Sequence, residues 1–213
     1  MVNRRARAFL AENEGATMVE MTLVIVLLFL VTLGFVDFGY ALYQWNQASK
    51  AVQVGARLAA VSNPVATGLA AKVAELNAEI APGDPSKSYS VVCNGASPTC
   101  IGLGGLDVDA AALNRIVFGA DGTCGPPFGT GARGMCDVFQ RNPPLGTANV
   151  VVEYTYSGLG YAARPGGPVP TIRVQLQDLN FNFFFLAGLL GLGQMEIPPM
   201  TGTITGEDLS TTF

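Results

Sequence analysis

The chain has 213 residues, which is enough for one membrane helix and one modest domain but too few for two large domains. Its formal net charge is −4 and no basic cluster follows the first 15 residues, so the composition argues against nucleic acid as a partner. Histidine is absent, which removes the commonest general base and a frequent metal ligand. We therefore expect a protein that is not an enzyme and has no catalytic residues, cofactor or bound metal.

An apolar stretch follows a short basic leader. The leader, residues 1–15, contains three arginines, Arg4, Arg5 and Arg7. Residues 16–36 are apolar apart from three threonines and Glu20. At a rise of about 1.5 Å per helical residue, this stretch covers roughly 30 Å, the thickness of a bilayer's hydrocarbon core. The sequence therefore predicts a leader at residues 1–15 and a transmembrane helix at residues 16–37.

The flanking charges predict the orientation of this helix. The flank after the helix begins with Asp37 and has no basic residue before Lys50. The positive-inside rule therefore places the N-terminus in the cytoplasm and the rest of the chain outside. An aromatic cluster follows the helix, as expected at a membrane–water boundary, and consists of Tyr40, Tyr43 and Trp45. A cleaved signal peptide is the alternative, although its apolar region usually has only roughly 7–15 residues.

Glu20 is the charged residue inside the apolar stretch, and two interpretations of it are open. In the first, it is a helix-end carboxylate that the helix dipole stabilises by roughly a few tenths of a kcal/mol. In the second, a peptidase cuts between Gly15 and Ala16, and the new ammonium group lies one helical turn from Glu20. A paired charge is far less costly in lipid than a lone one.

Four short motifs in this region carry a family resemblance. They are Gly15-Ala16, Val19-Glu20, Asp37-Phe38-Gly39 and Gly55-Ala56-Arg57. Together they resemble the N-terminal region of TadE-like proteins, the minor pilin-like components of tight adherence pili, although Met21 stands where an aromatic residue is usual. The resemblance implies a bacterial inner-membrane protein that a prepilin peptidase processes at Gly15 and Ala16, with Glu20 as the assembly charge. It also implies three kinds of partner: membrane lipid, the prepilin peptidase and other pilin-like subunits.

Beyond the membrane boundary the helical pattern continues to about Val61. Small residues recur there at spacings of three and four, and the stripe consists of Ala41, Trp45, Ala48, Val52, Gly55, Ala56 and Ala59. This stripe can pack on the chain's own outer domain, or also on partner pilins. A second helix is predicted to start with a cap at Ser62 or Asn63 and to end near Ala81. Residues 38–81 are thus expected to form an amphipathic helical region.

Residues 82–213 are predicted to form a periplasmic or extracellular domain tied by disulfides. It contains four cysteines, Cys93, Cys100, Cys124 and Cys136, on the expected oxidising side of the membrane. Three connectivities are possible, and pairing each cysteine with its neighbour in sequence is favoured because it closes two short loops. A structural zinc site is the alternative, but the sequence has no C-x-x-C motif.

Alternating apolar residues predict an antiparallel sheet in this domain. The strand-like segments are SKSYSVVCNG, ANVVVEYTYSG, TIRVQLQDLNF and MEIPPMTGTITGE. The segment DVDAAALNRIVFG is predicted to be a helix capped by Asp107 or Asp109. The expected fold class is therefore α+β, with a long N-terminal helix, first transmembrane and then amphipathic, ahead of a small disulfide-tied domain with an antiparallel sheet.

The segment FNFFFLAGLLGLG is apolar but too short to cross a bilayer as a helix. Its three consecutive phenylalanines, Phe183 to Phe185, cannot all face inward from one strand or helix. We therefore expect part of its apolar surface to face lipid or a partner.

Two further functions are weighed against a pilin. One is an uncleaved, membrane-anchored assembly or adhesion protein whose outer domain binds a ligand in the loop-rich region between Cys93 and Asn149. The other is a membrane-tethered hydrolase, for which the candidate acids are Asp107, Asp109, Asp137, Glu153 and Asp178. No two of these acids have a diagnostic spacing, so the hydrolase is the least favoured.

Overall fold

The computed structural model describes residues 14–164, 167–181, 183–185, 188, 191, 195–206 and 209. Apart from Glu14 and Gly15, the predicted leader therefore lies outside the described residues. The structure confirms the fold class, since a long helix precedes a mixed α+β domain. By compactness the chain forms two units, one of Met1–Leu42 with Asn182–Met195 and one of Tyr43–Phe181 with Glu196–Phe213.

The helices are α1 (Glu14–Ala60), α2 (Leu69–Leu76), α3 (Ala110–Phe118) and α4 (Met135–Val138), with a 3-10 helix at Thr147–Asn149. The strands are β1 (Ser90–Asn94), β2 (Val150–Tyr156), β3 (Pro170–Leu176), β4 (Asn180–Phe181), β5 (Met195–Glu196) and β6 (Met200–Thr205). The last predicted strand is divided into β5 and β6, because Pro198 and Pro199 lie between them and have no backbone N–H to donate to a sheet.

Four strands form one antiparallel sheet in the order β1-β2-β3-β6. Its register pairs Val152 with Val174 and Glu153 with Arg173. Alternate residues of the central strands are fully buried, as the two-residue period of a strand requires, and include Val150, Val152, Tyr154, Ile172 and Val174. Each large apolar side chain buried in this way contributes about 1.5–3 kcal/mol, so this face forms much of the domain core.

The C-terminal part of α1 packs on this domain through small residues. Its buried positions are mostly small residues, namely Gln44, Ala48, Ala51, Val52, Gly55, Ala56, Leu58, Ala59 and Ala60. A Cβ atom added to Gly202 of β6 would lie 2.9 Å from the carbonyl oxygen of Val52, so strand and helix backbones approach closely. The predicted small-residue stripe therefore packs on the chain's own domain.

The structure corrects one member of that stripe. Trp45 is 39% exposed, whereas its neighbour Gln44 is buried. Both residues lie near the same helical face as Ala48. The buried face of this part of α1 is therefore centred on the side of Gln44 rather than that of Trp45.

The predicted second helix is shorter than expected. It begins at Leu69 rather than after Ser62 or Asn63, since Gly68 at its N-terminal cap has a φ of 75°. The preceding segment is extended: the Thr67 N–H donates to the Asp107 carbonyl at 2.9 Å, and the Asp109 N–H donates to the Val65 carbonyl at 2.7 Å. Long-range pairing has replaced the local helix that Pro64 suggests.

The end of α2 is also earlier than the predicted Ala81. The helix ends at Leu76, and the side chain of the next residue, Asn77, forms hydrogen bonds with residues beyond the helix. Its Nδ2 atom donates to the Ser86 hydroxyl at 2.7 Å, and its Oδ1 atom accepts from the Lys87 N–H at 2.9 Å. A buried amide with two such partners fixes the chain in a turn instead of another helical turn.

Two disulfides tie the domain. One joins Cys93 of β1 to Cys100, and the other joins Cys124 to Cys136 of α4. This is the pairing of sequence neighbours that closes two short loops. Because all four thiols are engaged, none remains for the alternative zinc site.

Candidate membrane helix and processing site

The N-terminal part of α1 exposes its apolar side chains. The helix is long and apolar enough to cross a membrane, with a mean hydropathy of 2.6 over an 18-residue window, none of which is buried. Large apolar side chains are exposed along this part of the helix, and examples are Leu23, Leu27, Phe29, Phe35 and Val36. Such exposure distinguishes the segment from the core helix of a globular domain, since soluble proteins rarely expose a continuous apolar surface of this size.

Two threonines inside this stretch form hydrogen bonds with the helix backbone. The hydroxyl of Thr22 donates to the Val19 carbonyl at 2.8 Å, and that of Thr32 donates to the Leu28 carbonyl at 2.9 Å. In lipid every polar group must find a partner within the protein. These threonines are therefore compatible with a helix surrounded by hydrocarbon.

Gly15 lies in the first turn of α1, where its backbone is open. A Cβ atom added there would meet nothing within 4 Å. The side chain of Ala16, the expected new N-terminus, lies outside the described residues. Gly15 is thus exposed in the first described turn of the helix.

Glu20 has an exposed side chain on the same helix. It takes no part in the ion pairs of the described residues. Positions 16 and 20 are one turn apart, or about 6 Å along the axis, so a charge on the residue 16 amine would lie within reach of this carboxylate. Glu20 thus presents its carboxylate on the exposed surface of the described helix.

Asp37, at the end of the apolar stretch, has a role that sequence reasoning missed. The residue is fully buried. One carboxylate oxygen accepts the Phe184 backbone N–H at 2.9 Å, and the other accepts the Phe185 N–H at 3.0 Å. The Tyr40 ring lies on Phe184, with 4.6 Å between centroids. One feature of the sequence could have indicated this role: Asp37 is the only charged residue between Glu20 and Lys50.

The five acids considered for a hydrolase have structural partners or surface positions. Asp109 caps α3 by accepting from the N–H groups of Ala111 and Ala112. Asp137 accepts from the N–H groups of Gly125 and Gly134. Glu153 lies 3.9 Å from Arg173 across the sheet. Asp107 and Asp178 take part in no ion pair among the described residues.

The glycine-rich loop is held by its own backbone and by the second disulfide. The N–H of Ala120 donates to the Ala132 carbonyl at 2.9 Å. The guanidinium of Arg133 lies over the Phe128 ring, with 4.2 Å between its central carbon and the ring centroid. Backbone N–H groups of Thr123 and Gly129 lower the pKa of Asp121 below its usual value. Among the described residues no group of three or more acidic or sulfur ligands could hold a metal ion.

Comparison with known proteins gives a match to the long helix. Residues 15–57 match the family model of the TadE-like protein, and they contain all four of the motifs noted in the sequence. The resemblance is therefore confirmed for this segment, which coincides with nearly the whole of α1. No curated protein and no solved structure matches the chain.

Proposed function

We propose, from the TadE-like segment at residues 15–57, that this chain is a membrane-anchored, pilin-like component of tight adherence pilus assembly. One observation carries the proposal. The family match coincides with a single continuous helix, Glu14–Ala60, whose N-terminal part exposes apolar side chains while its C-terminal part is buried in a folded domain. A helix of this kind joins a bilayer to an outer domain, and its role is assembly rather than chemistry.

The orientation follows from charge and from the cysteines. The arginines of the leader favour a cytoplasmic N-terminus, which places the domain after Asp37 in the periplasm or outside the cell. The two disulfides support that side, because disulfides persist in oxidising compartments.

Processing after Gly15 supplies Glu20 with a partner. Cleavage by a prepilin peptidase converts the amide of Ala16 into an ammonium group one helical turn from the Glu20 carboxylate. This ammonium can belong to the same helix or to a neighbouring helix that packs in parallel. Pairing lowers the cost of both charges in lipid and favours association between subunits.

The surface for this association lies on the exposed part of α1. The small-residue stripe from Ala48 to Ala59 is buried in the chain's own domain and is not available to another subunit. The exposed apolar residues between Met18 and Val36 remain for contact with lipid and with the helices of other pilin-like subunits.

The test is the intact mass and N-terminal sequence of the protein extracted from membranes of cells with and without the prepilin peptidase. We expect the chain to begin at Ala16 when the peptidase is present and at Met1 when it is absent. Gly15→Leu should block the change, whereas Gly34→Leu, at another open glycine of α1, should not. A chain that always begins at Met1 would contradict processing, and release of the protein by alkaline carbonate would contradict anchoring.

A further inference from the structure

Two phenylalanines lie at the end of the apolar stretch of α1 although they are far from it in sequence. Phe184 and Phe185 belong to the same compact unit as residues 1–42. The two residues are 62% and 43% exposed, respectively. Their rings are close neighbours, with centroids 6.5 Å apart. We call these two residues the aromatic pair.

The Asp37 carboxylate fixes the backbone of the aromatic pair. It uses one oxygen for each of two consecutive N–H groups, at 2.9 and 3.0 Å. Hydrogen bonds to an ionised acceptor are roughly twice as strong as neutral ones. The backbone here is not helical, and its N–H groups would lack partners if the segment entered an apolar medium. Asp37 supplies these two N–H groups with acceptors, and both oxygens of its own buried carboxylate are hydrogen-bonded.

The position of Asp37 along the helix matches a membrane boundary. It lies 17 residues after Glu20, which corresponds to about 26 Å along a helix axis. The hydrocarbon core of a bilayer is about 30 Å thick. With Glu20 near the cytoplasmic boundary, Asp37 lies near the opposite one, and so does the aromatic pair that it holds.

The surroundings of the pair favour lipid over a protein partner. No charged residue occurs between Asp178 and Glu196, and none lies between Asp37 and Lys50. Protein interfaces usually carry a polar rim with hydrogen bonds. Here the exposed rings continue the apolar surface of α1, where Phe35, Val36 and Phe38 are also exposed.

We propose that Phe184 and Phe185 form a second membrane contact, which enters the interfacial region of the outer leaflet, and that Asp37 is the positioning residue that holds them there. The contact rests on the proposed anchoring of α1 in the bilayer. Aromatic and apolar side chains commonly enter the boundary between headgroups and acyl chains to a depth of about 5–10 Å. Besides the transmembrane helix, the chain then has a second, interfacial attachment to the bilayer.

Depth-dependent fluorescence quenching tests this contact in the full chain. The sequence has one tryptophan, which Trp45→Phe removes. In that background, Phe184→Trp reports on the aromatic pair, and Leu30→Trp reports on the helix. Ile101→Trp, at a residue 77% exposed in the outer domain, is the matched control. Each variant is reconstituted in phosphatidylcholine vesicles whose acyl chains are brominated either near the headgroup or near the methyl end.

We expect Phe184→Trp to be quenched at least about twofold more than Ile101→Trp by lipid brominated near the headgroup. Leu30→Trp should be quenched more by lipid brominated near the methyl end. Adding Asp37→Asn should reduce quenching at position 184 and leave position 30 unchanged, because the amide keeps the shape but offers one acceptor instead of two. Intact disulfides on a non-reducing gel verify that the variants are folded.

The outcomes separate this contact from the anchoring on which it rests. If position 30 is not quenched, the helix is not in the bilayer and the proposed function itself is wrong. If position 30 is quenched but position 184 behaves like position 101, the anchoring stands and the second contact is overturned. A position 184 that is unquenched by lipid, but shifts its emission when another pilin-like subunit is added, would assign the aromatic pair to a protein partner instead.

Discussion

The phenolic oxygen of Tyr154 accepts a hydrogen bond from the backbone N–H of Val65 at 2.9 Å, although 89 positions separate the two residues in the chain. Tyr154 lies on β2 and Val65 lies in the extended segment after α1, and both are fully buried. Burial raises the pKa of Tyr154 well above its usual range. The hydroxyl thus connects the end of the long helix to the centre of the sheet.

Removal of this hydroxyl should destabilise the outer domain. Tyr154→Phe leaves the Val65 N–H buried without its partner, which costs about 1–3 kcal/mol. Tyr161→Phe changes an exposed tyrosine and should alter the free energy of unfolding by less than about 0.5 kcal/mol. Urea unfolding of the full chain in detergent measures both values. Equal effects of the two substitutions would show that the hydrogen bond does not contribute.

Gly55 of α1 should not tolerate a side chain. A Cβ atom there would overlap the sulfur of the buried Met135 side chain, whereas a Cβ atom on Gly39 of the same helix meets nothing within 4 Å. Gly55→Leu should therefore destabilise the domain by about 1–3 kcal/mol or more. The thermal midpoint of the full chain in detergent measures this loss. Gly39→Leu is the control, and a comparable loss in that variant would contradict the packing explanation.

Asp109, and not Asp107, should contribute to the stability of α3. Its carboxylate accepts from the Ala111 N–H at 2.8 Å and from the Ala112 N–H at 3.1 Å. Loss of such a cap costs about 0.5–2 kcal/mol, and asparagine can replace the carboxylate at this position. We expect Asp109→Ala to lower the free energy of unfolding, with Asp109→Asn and Asp107→Ala close to the wild type. A larger effect of Asp107→Ala in denaturant titrations would reverse the assignment.

The domain should lose stability in alkali. Burial, with a smaller contribution from nearby Tyr156, raises the pKa of Tyr89 to about 12. An unfolded tyrosine has a pKa of about 10, so the unfolded chain releases its proton first. Stability from this group is therefore complete below about pH 10 and declines as the pH rises towards about 12. Tyr154, whose pKa is also raised by burial, contributes to the same loss of stability in alkali.

The decline is measured as the free energy of unfolding from about pH 9 to about pH 12. Tyr89→Phe should make the slope shallower, since it removes one of the groups that titrate differently in the two states. Tyr161→Phe, which changes an exposed tyrosine, is the matched control. An unchanged slope in Tyr89→Phe would assign the alkaline loss to other groups.

Neutralising Glu20 should separate membrane insertion from assembly. Glu20→Gln keeps the size of the side chain but removes the charge, so insertion should be unchanged or improved. Pilus formation should be strongly reduced, because the processed amine loses its counter-charge. Carbonate extraction measures insertion, and electron microscopy measures piliation. Thr22→Val, which changes another polar residue of the helix, should leave both unchanged, and normal piliation in Glu20→Gln would remove the charge-pairing argument.

Much of the fold could be predicted because its signals are local. The apolar length and the adjacent polar flank define α1, and two-residue alternation predicts β2 and β3. Asp109 precedes the apolar run of α3 as a helix cap does. The family motifs within residues 15–57 are also local, which is why they are visible without the rest of the chain.

The errors occur where distant parts of the chain meet. The segment after Ser62 has the proline of a helix start, yet Val65 and Thr67 pair with residues near Asp107 and so remain extended. Trp45 fits the periodicity of the stripe, but the packed face of the helix turns Gln44 and Ala48 inward and leaves Trp45 39% exposed.

The sequence by itself determined the long apolar helix, the α+β class and the motifs at Gly15, Glu20 and Gly55, since each depends on residue type and spacing along one segment. Only the tertiary structure decided that Asp37 bonds to Phe184 and Phe185, that Tyr154 receives the Val65 N–H, and that the stripe of α1 is used within the chain. These contacts join residues far apart in the chain, and no periodicity or local propensity specifies which distant backbone group a buried polar atom will bond.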